Sequence, residues 1–236
     1  MNKPFISIVV PVFGEGFDAS LFYKELDEAL SDWARFEVIF VNDSFEDENW
    51  RSIKKQEGLV DNIISFCNGE NRGQHFSTKI GLEKVNGDYV VVSDCDGQDN
   101  PCEIKKMFNM LEQDCFDIVF GQRVNRKDGL VTILLSKIFY SIINIISGIK
   151  YDEKTTSFSV AKSFLVKSLL EKKHEKVIYG ISIRKITKNI GYIEVCHRVR
   201  NKGKSSYSFC SKVKLALEVI ILCLNSSSPE VMSGEE

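Results

Sequence analysis

Two aspartates separated by one residue, Asp94-Cys95-Asp96, follow the run Asp88-Tyr89-Val90-Val91-Val92-Ser93. A short, apolar, β-branched run after Asn86-Gly87 reads as a buried strand. Alternation along that strand sends Asp94 and Asp96 to one side, just where the sheet ends. The carboxyl ends of strands are where open α/β sheets bind ligands. Two carboxylates so close are costly unless something positive lies between them. Oxygen ligands suit Mg²⁺ or Mn²⁺, and Mg²⁺ is typically held by one or two carboxylates together with substrate phosphates. Two acidic residues beside a turn are usually just solvated, so the pair takes its meaning from its neighbourhood.

The elements around it alternate. Strands are expected at 5–12, 36–42, 62–67, 89–94 and 117–121, with helices at 18–33, 47–57, 75–85 and 101–113. Such alternation argues for a parallel sheet covered by helices on both faces. Pro101 suits the first turn of the helix that Gly97-Gln98-Asp99-Asn100 introduces. Further on, Thr155–Ala161 reads as β-like, a helix follows near 163–173, and a last strand lies near 191–199.

Four motifs fall in order: Val9-Val10-Pro11-Val12-Phe13-Gly14-Glu15, Val41-Asn42-Asp43-Ser44, Asn71-Arg72-Gly73-Gln74-His75 and Asp94-Cys95-Asp96-Gly97-Gln98. Taken together they resemble the nucleotide-diphospho-sugar transferases of the GT-A fold, family 2. Within it the chain looks most like the branch of dolichol-phosphate-mannose-synthase-like and bacterial polyprenyl-phosphate or surface-polysaccharide glycosyltransferases. The resemblance covers roughly residues 4 to 210. It implies an α/β fold of the GT-A type, with a mostly parallel central sheet flanked by helices. It also implies a nucleotide-binding half over about 1–122, an acceptor half over about 123–210, and a C-terminal helix and polar tail over 211–236.

The resemblance assigns roles. Pro11, Val12 and Glu15 after the first strand, and Asp43 after the second, would line the nucleobase pocket. A carboxylate can accept the imide N–H of uracil or thymine, whereas cytosine N3 would offer it only lone pairs; Asp43 equally suits a turn or helix cap. Arg72 and Gln74 could reach base or phosphate, and Arg72 could as well be a surface arginine. Asp94, Asp96 and Gln98 correspond to the Asp-x-Asp-x-Gln unit that ligates Mg²⁺ or Mn²⁺ in this branch. Arg123 and Arg126, after the fifth strand, would add positive charge for the departing diphosphate. Arg200, Lys204 and Ser205 sit in Arg200–Tyr207, which resembles the family's Arg-x-x-Gly-x-Ser loop over the phosphates. Two departures stand out: Phe13-Gly14-Glu15 replaces Tyr-Asn-Glu, and Gly97 replaces the usual Leu.

The expected reaction is inverting transfer from a uridine-, thymidine- or guanosine-diphosphate sugar to a lipid-linked or polyprenyl-phosphate acceptor in cell-surface glycan synthesis. A sugar hydroxyl would need a carboxylate base, for which Asp152 is the first choice and Asp99 and Asp128 the others. A polyprenyl phosphate is already anionic and needs no strong base. The Gln-x-x-Arg-Trp motif of processive relatives is absent. Competing readings are transfer to a soluble sugar, a non-catalytic sugar-nucleotide-binding module, and a nucleotidyltransferase. The last would want a glycine-rich signature near residue 10, which this chain lacks.

Composition excludes other classes. Among 236 residues, 31 Lys and Arg against 33 Asp and Glu leave a net charge of −2, so no global field draws the chain to nucleic acid. Seven cysteines without paired short spacing suggest free thiols in a reducing cytosol. The start of the chain reads as lacking a leader, and Leu215–Leu224 is short for a span. Residues 130–149 are apolar, yet Thr132, Ser136, Lys137, Ser141, Asn144 and Ser147 fall in one half of a helical wheel. That amphipathic helix is expected to pack in the core, form a dimer interface, or rest on the inner face of the cell membrane, where a lipid-linked acceptor would be met.

Overall fold

The computed structural model describes residues 3–14, 16–123, 144–145, 154–171, 177–196 and 198. In chain order the elements are β1 (Phe5–Val12), α1 (Ala19–Leu30), β2 (Arg35–Asn42), α2 (Glu48–Glu57), β3 (Ile63–Cys67), α3 (Gln74–Leu82) and β4 (Tyr89–Val92). They continue with α4 (Glu103–Gln113), β5 (Ile118–Arg123), β6 (Thr155–Lys162), α5 (Ser163–Glu171), α6 (Tyr179–Ile186) and β7 (Ile190–Val195). The chain divides into two units, residues 1–126 with 154–204 and residues 127–153 with 205–236, and all these elements lie in the first.

The strands form one seven-stranded sheet in the order β3-β2-β1-β4-β6-β5-β7. β1 pairs in parallel with both β2 and β4, β2 with β3, and β5 with β7. β6 runs antiparallel between β4 and β5, so the sheet draws strands from both expected halves of the chain. A mostly parallel sheet is what the sequence predicts.

Strand alternation sorts the core into two layers. Ile6, Ile8, Val10 and Val12 of β1 join Val38, Phe40, Val91, Val119 and Phe158 on one face, under Leu26 of α1, Ile53 of α2 and Met107 of α4. Val9, Ile39, Val41, Val90 and Phe120 point the other way, toward Leu82 of α3, Leu165 of α5 and Ile183 of α6. Each fully buried aliphatic side chain contributes about 1.5–3 kcal/mol. α3 lies so close to the sheet that a Cβ on Gly81 would come within 2.4 Å of Val9 Cγ1, a contact only glycine permits.

The differences from expectation are local. α1 and α2 begin one residue later than expected because Asp18 and Asp47 are caps: Asp18 accepts from the amides of Ser20 and Leu21, and Asp47 from that of Trp50. α6 was not foreseen, since Tyr179-Gly180-Ile181-Ser182-Ile183 is rich in strand-favouring residues. β4 ends at Val92, so Asp94 and Asp96 are held by a turn and not by strand alternation. Of the stretch 130–149, Asn144 and Ile145 alone are described; both are helical, and Ile145 is 80% exposed. No helix among the described residues is long and apolar enough to cross a membrane.

Candidate active site

Neighbours change direction around β1: the chain winds outward through β2 and β3 on one side and passes to β4 on the other. That reversal opens a crevice at the carboxyl ends of β1 and β4, the place where doubly wound sheets take ligands. The Asp94–Asn100 turn sits there. Ser93 still donates its amide to Val9 O at 3.1 Å, and then Asp99 bends the chain back. Its Oδ2 accepts the Asp94 amide at 2.9 Å and the Ser93 hydroxyl at 3.4 Å. Asp96 Oδ1 accepts the Gln98 amide at 3.0 Å. Gly97 between them has φ +74°, a left-handed conformation that a leucine would adopt only with strain.

Asp94 is gripped from two sides. Gln74, the first residue of α3, donates Nε2 to Oδ1 at 2.6 Å, and Ser157 of β6 donates its hydroxyl to Oδ2 at 3.0 Å. Register accounts for the second contact: Val92 pairs with Ser159 in antiparallel β4–β6, which sets Ser157 opposite position 94. Burial raises the Asp94 carboxyl above its ordinary value and the Asp96 charge raises it further, against the hydrogen bonds from Ser157 and Gln74 and the charge of Arg123. Asp99, 5% exposed, is raised well above the usual range by burial and by the Asp94 charge. Cys95, between the two aspartates, is pushed up to about 12 by burial and so is a neutral thiol, directed at Phe13 O. Three carboxylates thus converge near the charge of one exposed arginine, Arg123 at the end of β5.

The residues present fit a divalent cation. Asp94 and Asp96 supply hard oxygens, and each oxygen that accepts one hydrogen bond keeps a further lone pair. Among the described residues no group of three or more His, Cys, Asp or Glu is set to enclose a metal. A two-carboxylate site that leaves coordination to a diphosphate has the form Mg²⁺ prefers.

On the other side of the crevice, Asp43 is 2% exposed and already engaged. Its Oδ1 accepts from Asn68 Nδ2 at 3.0 Å and the Arg72 amide at 2.9 Å, and its Oδ2 accepts the Gly73 amide at 2.8 Å. It therefore ties the end of β2 to the start of α3, where Gly73 carries φ +91° and no side-chain cap of its own. Pro11 and Val12 are buried at the end of β1, and Val12 O accepts the Asp43 amide at 2.8 Å. The exposed Arg72 side chain pairs with Glu70 at 2.7 Å and covers the Phe76 ring at 4.9 Å. Asn49 of α2, unremarked in the sequence, braces the first loop by donating to Gly14 O at 2.7 Å and accepting the Phe17 amide at 3.0 Å.

The structure therefore brings Asp94, Asp96, Gln98, Gln74 and Arg123 to one edge with Asp43, Pro11 and Val12, and leaves the Arg72 side chain on Glu70. Glu15, Arg126, Asp128, Asp152, Arg200, Lys204 and Ser205 lie outside the described residues. Sequence reasoning gave Ser157 and Asn68 no role at the site, because their partners are 63 and 25 residues away.

Residues 7–173 match the family model described as glycosyl transferase family 2. The chain belongs to that family. Among curated relatives, this glycosyltransferase is 26% identical over 230 residues to the undecaprenyl-phosphate 4-deoxy-4-formamido-L-arabinose transferase of Photorhabdus laumondii, spanning 97% of this chain and 70% of that protein. It is 27% identical over 222 residues to the dodecaprenyl-phosphate galacturonate synthase of Rhizobium johnstonii, spanning 91% of this chain and 65% of the relative. Among solved structures, S. aureus TarS 1-349 in complex with UDP-GlcNAc superposes with a TM-score of 0.58 at 17% identity, over 97% of this chain and 68% of that one. A mycobacterial protein gives 0.64 at 17% identity, over 94% and 74%. These structural likenesses show that the glycosyltransferase has the GT-A architecture that its motifs imply.

Proposed function

We propose that this glycosyltransferase moves a sugar, with inversion, from a nucleotide-diphospho-sugar to a polyprenyl-phosphate acceptor in cell-surface glycan synthesis. The observation that carries the reading is the crowding of Asp94, Asp96 and Asp99 near Arg123 at the switch point of a family 2 sheet. Relatives named for undecaprenyl- and dodecaprenyl-phosphate transfer support this choice of acceptor. In the reaction an acceptor phosphate oxygen attacks the anomeric carbon. The bond from that carbon to the diphosphate breaks, and the products are a polyprenyl-phosphate sugar and a nucleoside diphosphate.

Asp94 and Asp96, with Gln98 beside them, would hold Mg²⁺ or Mn²⁺, which when bound neutralises charge on the leaving diphosphate. Gln74 and Ser157 keep Asp94 aimed, Arg123 supplies fixed positive charge, and the Asp43–Gly73 tie holds the floor of the nucleotide pocket. The anionic acceptor removes the need for a general base. An acceptor of this kind places the enzyme at a membrane surface, with residues 130–149 as the contact.

The test is incubation of UDP-, dTDP- and GDP-sugars with polyprenyl phosphate vesicles and Mn²⁺, followed by lipid extraction. A lipid-linked sugar that appears with stoichiometric nucleoside diphosphate, and disappears with chelator, is the expected result. Transfer to water-soluble sugars alone would reject the lipid acceptor, and undiminished transfer in chelator would reject the metal.

A further inference from the structure

Arg198 follows β7 and touches three parts of the fold at once. Its backbone amide donates to Gln98 O at 3.1 Å. One guanidinium nitrogen meets Glu25 Oε2 of α1 at 2.7 Å, and another donates to Asn100 Oδ1 at 2.8 Å. Asn100 Oδ1 also accepts the Cys102 amide at 3.2 Å, where the chain turns into α4. The Asp94–Asn100 turn is thus held from inside by Asp99 and from outside by Arg198. The turn needs holding, because Gly97 at φ +74° sits between Asp96 and Gln98 and glycine resists few alternative conformations.

We infer that Arg198 is a positioning residue for donor binding, an external brace that keeps Asp96 and Gln98 in the shape the nucleotide diphosphate requires. The inference rests on the proposed function, since it concerns the same reaction. Both arms of the brace are charge-assisted, and the planar guanidinium reaches its two acceptors from two separate nitrogens held in one fork, whereas an ammonium would have to reach both from a single nitrogen. Glu25 anchors the brace to a helix whose Leu26 and Leu30 are buried in the core, so the turn is referred to a rigid element. Arg198 and Glu25 are half-exposed, so their loss removes orientation and leaves the hydrophobic core intact.

The experiment uses the full chain with Arg198→Ala, Arg198→Lys and Glu25→Gln. Binding of UDP, dTDP and GDP is titrated with Mn²⁺, and amide hydrogen exchange is followed without any ligand. Arg198→Ala is expected to weaken the preferred nucleotide about tenfold, the scale of a lost charge-assisted hydrogen bond. It should also speed exchange at the Gln98 and Cys102 amides while the melting temperature stays near the parent's. Arg198→Lys keeps one arm and should recover part of the affinity, and Glu25→Gln should fall between Lys and parent. Parent-like affinity and exchange in Arg198→Ala would overturn the brace while leaving the proposed function standing. A lowered melting temperature with unchanged affinity would also overturn it, in favour of a merely structural role. A parent chain that binds none of the three nucleotides rejects both.

Discussion

Glu37 and Asp94 are carboxylates at opposite ends of the same sheet, Glu37 within β2 and Asp94 in the turn after β4, and their neighbours are of opposite kinds. Glu37, on β2, is surrounded by donors: Ser7 Oγ at 2.5 Å and the Asn86 amide at 2.8 Å reach Oε1, and Asn86 Nδ2 reaches Oε2 at 3.1 Å. The Ser7 hydroxyl oxygen in turn accepts the Gly87 amide at 2.8 Å, so the network joins β1, β2 and the entry to β4. Asp94 also has two donors, Gln74 and Ser157, but it shares its turn with Asp96 and Asp99. A buried carboxylate among donors holds a fold together, whereas one among other carboxylates stores repulsion that a cation can relieve. The amino end of the sheet surrounds its carboxylate with donors, and the carboxyl end crowds its carboxylates together.

The sharpest break of that contrast is Asp96→Asn, which should cut turnover on the order of 10²–10³-fold, as losses of charge-stabilising groups do. Circular dichroism should be unchanged, and near-normal turnover without added metal would sink the metal assignment. The converse at the other end is Glu37→Ala. It strands Ser7 and Asn86 donors in a buried site and should cost about 3 kcal/mol in urea unfolding, with turnover per folded molecule retained. If Glu37→Ala instead lost activity and kept stability, the two ends would not divide as described.

Stability against pH sharpens the comparison further. Asp94 and Asp99 titrate above their ordinary value of 3.8 in the folded chain, so the native state binds protons that the unfolded chain has released. Their contribution to stability is therefore present in acid and falls as pH rises from the ordinary value through the raised ones. Asp94→Asn removes that penalty, so its melting temperature should exceed the parent's by a margin that widens toward neutral pH. Saturating Mn²⁺ should close the margin by stabilising the parent alone. A margin independent of pH would contradict the crowding of charge. The smallest effect is expected of Ser157→Ala, which frees one oxygen of Asp94. Its turnover should drop about fivefold with stability altered by less than about 1 kcal/mol, read from single-turnover rates and thermal melts.

The sequence by itself determined the order of strands and helices apart from α6, the sheet's mostly parallel character, the Asp94–Asp96 pair, and the family through motifs in sequence order. These are local properties: periodicity, caps such as Asp18 and Asp47, and the left-handed Gly97 all act within a few residues. Tertiary structure alone decided that β6 runs antiparallel between β4 and β5, and so that Ser157 meets Asp94 across 63 residues of chain. It likewise made Asp43 a tie between β2 and the start of α3, and set Arg198 against Glu25, 173 residues away. The physical reason is that register and packing, which bring distant residues within 3 Å, depend on the whole sheet at once and leave no trace in the spacing of either partner.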